Sequence, residues 1–474
     1  MKSNQADMRR TRTNRFQHPE KPSRQRILAA GRSVFTAWPY GAASVRKIEQ
    51  AGGFNYALLR YYFGSKKGLF DAVAADLADQ YRFFLPSLFE RALARSHPEQ
   101  GLALFIDELV DFGLARPEGP SLVMQNIGES RHLDATALSP AAMRRALDGI
   151  QNGLRTSRWT NISDRKLAGA VFAFVVLTAN FIGAGSFHAA SLGLSADPGR
   201  YGQWVKEALL SVFEPFLKAS LAPDWKKNQV KKHDLEITIP PISARRLERA
   251  ASGRTSLDRK ETKGDRTRAK ILDAAQAVFT KKDYHTASIR MIGRQGGFDF
   301  TIIHHYFPTK RDLAEAVTHR IFADFFKTSS DWWQDFAAEN ADRPLRLRPA
   351  MSQYFKRLLN YYFAHPSAPA LLMQNIARSG EQEPLPGLDQ SLLFFNGILE
   401  RLKFLLPVTA SEESIRKWQY CLTTLITNCV GAPRYPAGMV DLAPDSTAYR
   451  QWILMVILET FYPGLRLMLS EKEP

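Results

Sequence analysis

The chain has 474 residues, 45% of them hydrophobic, which is apolar material for several domains, and a formal net charge of +17 that points to an anionic partner. Its two cysteines, Cys421 and Cys429, fall on one predicted helix with no CxxC and no Cys/His cluster, which excludes a disulfide scaffold and a zinc protein; no metal and no cofactor is expected. The basicity is confined to residues 1–74 (14 Lys/Arg against 4 Asp/Glu) and 224–317 (20 against 12), while 75–223 (14 against 15) and 318–474 (16 against 16) are close to neutral. Two basic blocks, each followed by a neutral apolar region, fit two phosphate-binding surfaces.

The polar start leads into Arg9, Arg10, Arg12 and Arg15 without the apolar core of a signal peptide, so a cytoplasmic location is expected. This arm reads equally as a minor-groove contact or as a tail without a site. Ser23 is the expected N-cap of a first helix whose inner face is Ile27, Leu28, Gly31, Val34 and Phe35. Pro39-Tyr40-Gly41 breaks it. Ser44 caps a short second helix with Val45 and Ile48 inward, Gly52-Gly53 supplies a turn, and Asn55 caps a third helix holding Leu58, Leu59, Tyr62 and Phe63. Two short helices joined by a glycine turn form a helix-turn-helix, whose third helix is expected in the major groove.

Residues 75–223 read as an all-helical domain. Within it, Met124-Gln125-Asn126-Ile127 follows a Pro-x-x-Pro start; bonding to a neighbouring helix is the preferred reading of Gln125 and Asn126 over ligand binding. From Leu167 to Ala196 there is no charged residue, enough to cross a membrane. Asn180, Ser186 and His188 interrupt the stretch, which favours a helix buried in protein, and no membrane is expected. Residues 224–264, charged and containing Pro240-Pro241, read as a linker. Residues 265–317 and 318–474 then repeat the two domains.

The repeat is direct. At an offset of 244, 21 of the 51 positions from 23 to 73 are identical without a gap, including Gly52-Gly53-Phe54 against Gly296-Gly297-Phe298 and Lys66 against Lys310. At 249, Met124–Ile127 matches Met373–Ile376; at 248, Asn180, Tyr201 and Trp204 match Asn428, Tyr449 and Trp452. A period this long marks duplicated domains. The fold class expected is all-α: two tandem copies of a three-helix domain, each followed by an all-helical regulatory domain.

At Ser44-Val45-Arg46-Lys47-Ile48, Leu59-Arg60-Tyr61-Tyr62-Phe63, Lys66 and Leu69, and again at Ser288-Ile289-Arg290-Met291-Ile292, Ile303-His304-His305-Tyr306-Phe307, Lys310 and Leu313, the sequence resembles the tetracycline-repressor (TetR) family. The resemblance covers about 50 residues in each half. It implies double-stranded DNA as partner and a regulator, a repressor by likeness, whose last two helices build a dimer interface. Those pairs lie at about 164–187 with 200–219 and 411–431 with 447–469. Arg60 and His304 stand where the family usually has Tyr, and Glu49 and Gly293 where it has Ala. The family pairs single units, whereas this chain resembles two units fused, so the halves are expected to pair within the chain.

The DNA-contacting residues expected are Asn55, Tyr56, Ala57, Arg60 and Tyr61 in the first unit and Asp299, Phe300, Thr301, His304 and His305 in the second, on the exposed sides of the third helices. Arg46, Arg290, Lys66 and Lys310 are expected at phosphates. Tyr62, Phe63, Tyr306 and Phe307 are expected in the core. Adjacent His304 and His305 point to different sides of a helix and do not suggest a metal. No GxSxG, HExxH, P-loop or GxGxxG occurs, so no catalysis is implied. The function expected is a single-chain pseudo-dimer that reads an asymmetric operator and has room for a small apolar effector; further homodimerisation stays open. The alternatives are a membrane-tethered regulator anchored by 167–187 and a helical enzyme with basic accessory modules.

Overall fold

The computed structural model describes residues 20–155, 162–221, 236–238, 262–282, 284, 286–339, 344–378, 386–387, 389 and 410–470. The arginine arm and nearly all of the linker lie outside these residues.

The first unit opens with α1 (Glu20–Ala37), α2 (Val45–Gly52) and α3 (Tyr56–Phe63), continues through α4 (Lys66–Leu93), α5 (Pro98–Ala115), α6 (Glu118–Asn126) and α7 (Pro140–Arg155), and closes with α8 (Asp164–Gly183), α9 (Gly185–Ser191) and α10 (Pro198–Leu221). The second repeats the plan with α11 (Lys263–Phe279), α12 (Ile289–Gly296), α13 (Phe300–Tyr306), α14 (Lys310–Glu339), α15 (Leu347–Ala364), α16 (Ser367–Arg378), α17 (Glu412–Gly431), α18 (Arg434–Met439), α19 (Thr447–Val456) and α20 (Tyr462–Ser470). A π turn, Ile457–Phe461, joins the last two just before Pro463, the counterpart of Pro215 within α10. The fold is all-α apart from β1 (Glu236–Thr238) and β2 (Pro344–Arg346), a short antiparallel ladder between linker and second unit.

Two sequence expectations shift. The first helix begins at Glu20, so Ser23 lies inside it rather than at its cap. The domain boundary drawn at 74–75 falls within α4, and that at 317–318 within α14, so each small N-terminal head shares a continuous helix with the helical body that follows it.

The two units share one apolar core. Helix α10 packs along α17 and α20, and α8 along α17 and α19, so the last helices of both halves form one four-helix interface. The uncharged stretch 167–187 lies here: 67% of the apolar window of α8 is buried, with Phe172, Phe181 and Phe187 fully enclosed. The Thr447–Leu469 helix is also long and apolar enough to cross a membrane, and half of its window is buried in the same interface. Cys421 and Cys429 are buried and free on α17.

The interface is pseudo-twofold, and the two sides differ in chemistry. Tyr420 meets Trp204 edge-on at 5.1 Å, and the matching pair is Phe172 with Trp452 at 6.0 Å. Only Tyr420 has a hydroxyl, and it bonds His188 Nδ1 at 2.9 Å, while His188 Nε2 reaches Asn180 Oδ1 at 2.8 Å. The counterpart of His188 is Pro436. Likewise Lys417 pairs with Glu207 at 2.5 Å and Glu413 at 2.8 Å, whereas the matching positions hold Gly169 under Met455. Burial lowers the His188 pKa from 6.5 to about 3, so its ring is neutral in the fold.

Candidate DNA-binding site

In each head, the α2 cap is a serine: Ser44 accepts from the Lys47 amide and Ser288 from the Met291 amide. The turn to α3 needs both glycines. Gly53 and Gly297 have φ of 61° and 69°, the left-handed region, which suits a residue without a β-carbon. A β-carbon on Gly52 would lie 2.2 Å from the Phe54 ring, and one on Gly296 would lie 2.4 Å from that of Phe298, so the glycines let these rings fold back onto the first helix.

The third helix is then held by its buried residue, Leu59 or Ile303. Phe307 is buried; Tyr62, Phe63 and Tyr306 are half-buried. Arg24 lies over Phe63 at 5.3 Å and Arg268 over Phe307 at 5.0 Å, so the repeat extends to side-chain placement.

On the outer side, Arg46, Asn55, Tyr56, Ala57, Arg60 and Tyr61 are all exposed, and so are Arg290, Asp299, Phe300, Thr301 and His305. Asn55 is the cap of α3, accepting from the Leu58 amide at 3.1 Å. Asp299 caps α13, accepting from the Thr301 amide at 2.9 Å and hydroxyl at 2.8 Å, and these bonds lower its carboxyl pKa. His304 is half-buried: its ring lies 4.2 Å from that of Phe300, and Nδ1 donates to the Pro308 carbonyl at 2.8 Å, so Nε2 carries no proton in the neutral ring.

Lys66 and Lys310 turn inward. Lys66 Nζ donates to the Tyr40 carbonyl at 2.5 Å and sits 4.0 Å from the Tyr40 ring centre; partial burial lowers its pKa. Lys310 Nζ donates to the carbonyls of Tyr284 at 2.9 Å and Ala287 at 3.2 Å. Both lysines thus staple the turn after the first helix, and the phosphate contact expected of them would have to be shared with these internal partners.

Further residues join this surface that the sequence pattern did not single out. Arg26 lines, with Arg46 and Asn55, a shallow groove between the first three helices. In the second head Met291 and Ile302 are 40% and 42% exposed beside Phe300. The apolar part of the first surface is thus Tyr56 and Tyr61, and that of the second is Met291, Phe300 and Ile302. The signal for Arg26 was the Arg24-x-Arg26 spacing; exposed Met291 and Ile302 read by periodicity as ordinary helix residues.

A family model described as bacterial regulatory proteins, tetR family, matches residues 27–73 and, again, 271–317. Both heads thus carry the N-terminal segment of that family, which supports a TetR-family regulator with two tandem units. No curated protein matches it. The two matched segments lie 244 residues apart, the same offset as the internal repeat, and each covers a head together with the start of the helix leading to its body. The match supports a DNA-binding transcription regulator, with DNA as the partner the family implies.

The Met-Gln-Asn-Ile repeats tie heads to bodies. Buried Asn126 accepts the Tyr40 amide at 2.8 Å through Oδ1 and donates Nδ2 to the Leu122 carbonyl at 2.8 Å. Tyr40, held also by Lys66, packs its ring 4.4 Å from that of His132. In the second unit Gln374 does the equivalent work, donating to the Phe279 carbonyl at 3.3 Å, while Asn375 turns to Gly387. Gln125 crosses between units to the Ala377 carbonyl at 2.8 Å. The heads also approach each other: a β-carbon on Gly41 would lie 3.8 Å from the Thr286 methyl.

The helical body of the first unit holds a cavity of about 680 Å³ between α4, α5, α6, α7 and α8, walled chiefly by apolar side chains. Asn428, Tyr435 and Met439 of the second unit close one side. Tyr435 donates to the Leu138 carbonyl at 2.7 Å and Arg434 pairs with Asp134 at 2.6 Å, which fix that wall.

Proposed function

We propose that this regulator works as a single-chain pseudo-dimer: one chain, with its two unlike heads, occupies one asymmetric operator, acts as a cytoplasmic repressor and leaves DNA when a small apolar effector fills the first unit's cavity. No catalytic role is assigned.

The observation that carries this reading is the interface of unlike residues. If two first units paired, each buried His188 would face Phe172, which has no hydroxyl, and Glu207 would face Gly169. If two second units paired, Lys417 would face Met455 and Tyr420 would face Pro436. Leaving buried polar groups without partners is costly, so the unlike pairing is favoured on both sides. The heads differ in the same spirit: Arg60 against His304, Asn55 against Asp299 and Tyr61 against His305. A symmetric dimer demands a palindrome, and this arrangement makes no such demand.

The effector reading is supported by the cavity's position. It is walled by α4, which continues into the head, and by α6, whose Asn126 holds the Tyr40 turn, so a ligand that spreads these helices moves the first head relative to the second.

The test is the mass of the complex on its footprinted operator. One chain of 53.5 kDa per site is expected. Two chains per site, with four heads engaged, would overturn the pseudo-dimer.

A further inference from the structure

The cavity carries a second layer of information in the charge of its wall. Its lining is aliphatic and aromatic along most of its length, as at Leu85, Phe105, Val175 and Phe213. The charged side chains among the described lining residues are Arg82, Arg145 and Arg155, with no carboxylate. Arg82 is paired with Asp79 at 2.5 Å and Arg155 with Asp164 at 2.9 Å. Arg145 is exposed and pairs with no carboxylate among the described residues. Two hydroxyls of the wall, Tyr81 and Thr178, are buried without a hydrogen-bond partner.

We propose that the cavity binds a long-chain carboxylate, with the alkyl chain along the apolar wall and the carboxylate at Arg145. The inference rests on the effector reading above and gives that effector its chemical class. A cavity of about 680 Å³ lies in the size range of small-molecule sites and is roomy enough for an extended chain. The guanidinium of Arg145, the one not paired with a carboxylate among the described residues, decides the head group. A carboxylate gains a charge-assisted, bidentate bond to it; an alcohol gains only a neutral bond; an ammonium meets a like charge. The unpartnered Tyr81 and Thr178 hydroxyls leave donors along the wall for a ligand oxygen, the feature a purely hydrocarbon occupant would waste. The ligand also touches both units, because Tyr435 and Met439 belong to the second, and so binding there is sensed across the interface.

The experiment is direct binding to the full chain, without DNA, by titration calorimetry below micelle formation. The probes are dodecanoate, dodecanol and dodecylamine, with octanoate and decanoate for chain length. Expected is a carboxylate preference of about tenfold or more over the alcohol and the amine, lost in Arg145→Glu, and a gain of about fourfold in affinity per added methylene. Ala170→Phe, which narrows the cavity, is expected to abolish binding of all probes while the fold, read by circular dichroism, persists. Equal or tighter binding of the alcohol or the amine would overturn the class. Binding that survives Ala170→Phe, or no binding by a folded and DNA-competent chain, would overturn the site. Adding operator separates the two readings: dodecanoate that binds without releasing DNA leaves the ligand class standing and defeats the effector role.

Discussion

The buried imidazole at the interface makes stability depend on pH in a calculable way. His188 is fully enclosed, with Tyr420 and Asn180 on its two nitrogens, and its pKa is lowered from 6.5 to about 3 by burial. In the unfolded chain the ring titrates near its ordinary value. Below that value the unfolded state binds a proton that the folded state refuses, so the contribution is intact above about pH 6.5 and is lost as pH falls towards 3. Between pH 7.5 and pH 5.5, linkage gives a loss of about 1.4 kcal/mol from this residue alone. The assay is urea unfolding of wild type and His188→Gln at the two pH values. Other titrating groups, among them His132, whose pKa burial also lowers, act in both proteins and cancel in the difference. Wild type is expected to lose about 1.4 kcal/mol more than the variant over this range. Identical pH dependence in the two proteins would mean that His188 titrates normally in the fold, and the polar lock between units would fall with it.

Two further outcomes follow from the same geometry. Lys66→Ala, alone or with Lys310→Ala, is expected to destabilise the head by about 1–2 kcal/mol through the freed Tyr40 turn. The slope of DNA affinity against salt is expected to stay unchanged; a decrease of about 1 per lysine in that slope would instead return them to the phosphates. A double-mutant cycle on Glu207→Ala and Lys417→Ala should give a coupling of about 0.5–1 kcal/mol, because Lys417 is largely enclosed; a coupling near zero would remove this pair from the forces selecting unlike halves.

The heads were legible because their rules are local. The apolar spacing of Ile27, Val34 and Phe35, the serine caps and the Gly-Gly-Phe turn each act within a few residues, and all recur in the second copy. The exposed sides of α3 and α13 follow from helical periodicity alone. What stayed hidden depends on partners far apart in the chain. Lys66 looks like a surface cation beside Lys67 until Tyr40, 26 residues earlier, is seen to receive it. His188 interrupts an uncharged stretch, and only Tyr420, 232 residues away, explains its burial. Neutral composition marks 75–223 as a body but does not reveal that α4 runs unbroken across the boundary. The cavity is a shape left between helices, and no single residue announces it; its closing wall comes from the other unit.

The central claim is that two unlike heads on one chain read two unlike half-sites. Selection of binding sites from random duplex DNA, performed with wild type, Arg60→Ala and His304→Ala, tests it most directly. Wild type is expected to select an asymmetric site whose halves lie about one helical turn or somewhat more apart. Arg60→Ala is expected to relax base preference in one half only, at a cost of about 1–3 kcal/mol if the guanidinium contact is bidentate, and His304→Ala in the other half only. A perfect palindrome, or two variants that alter the same bases, would contradict the account.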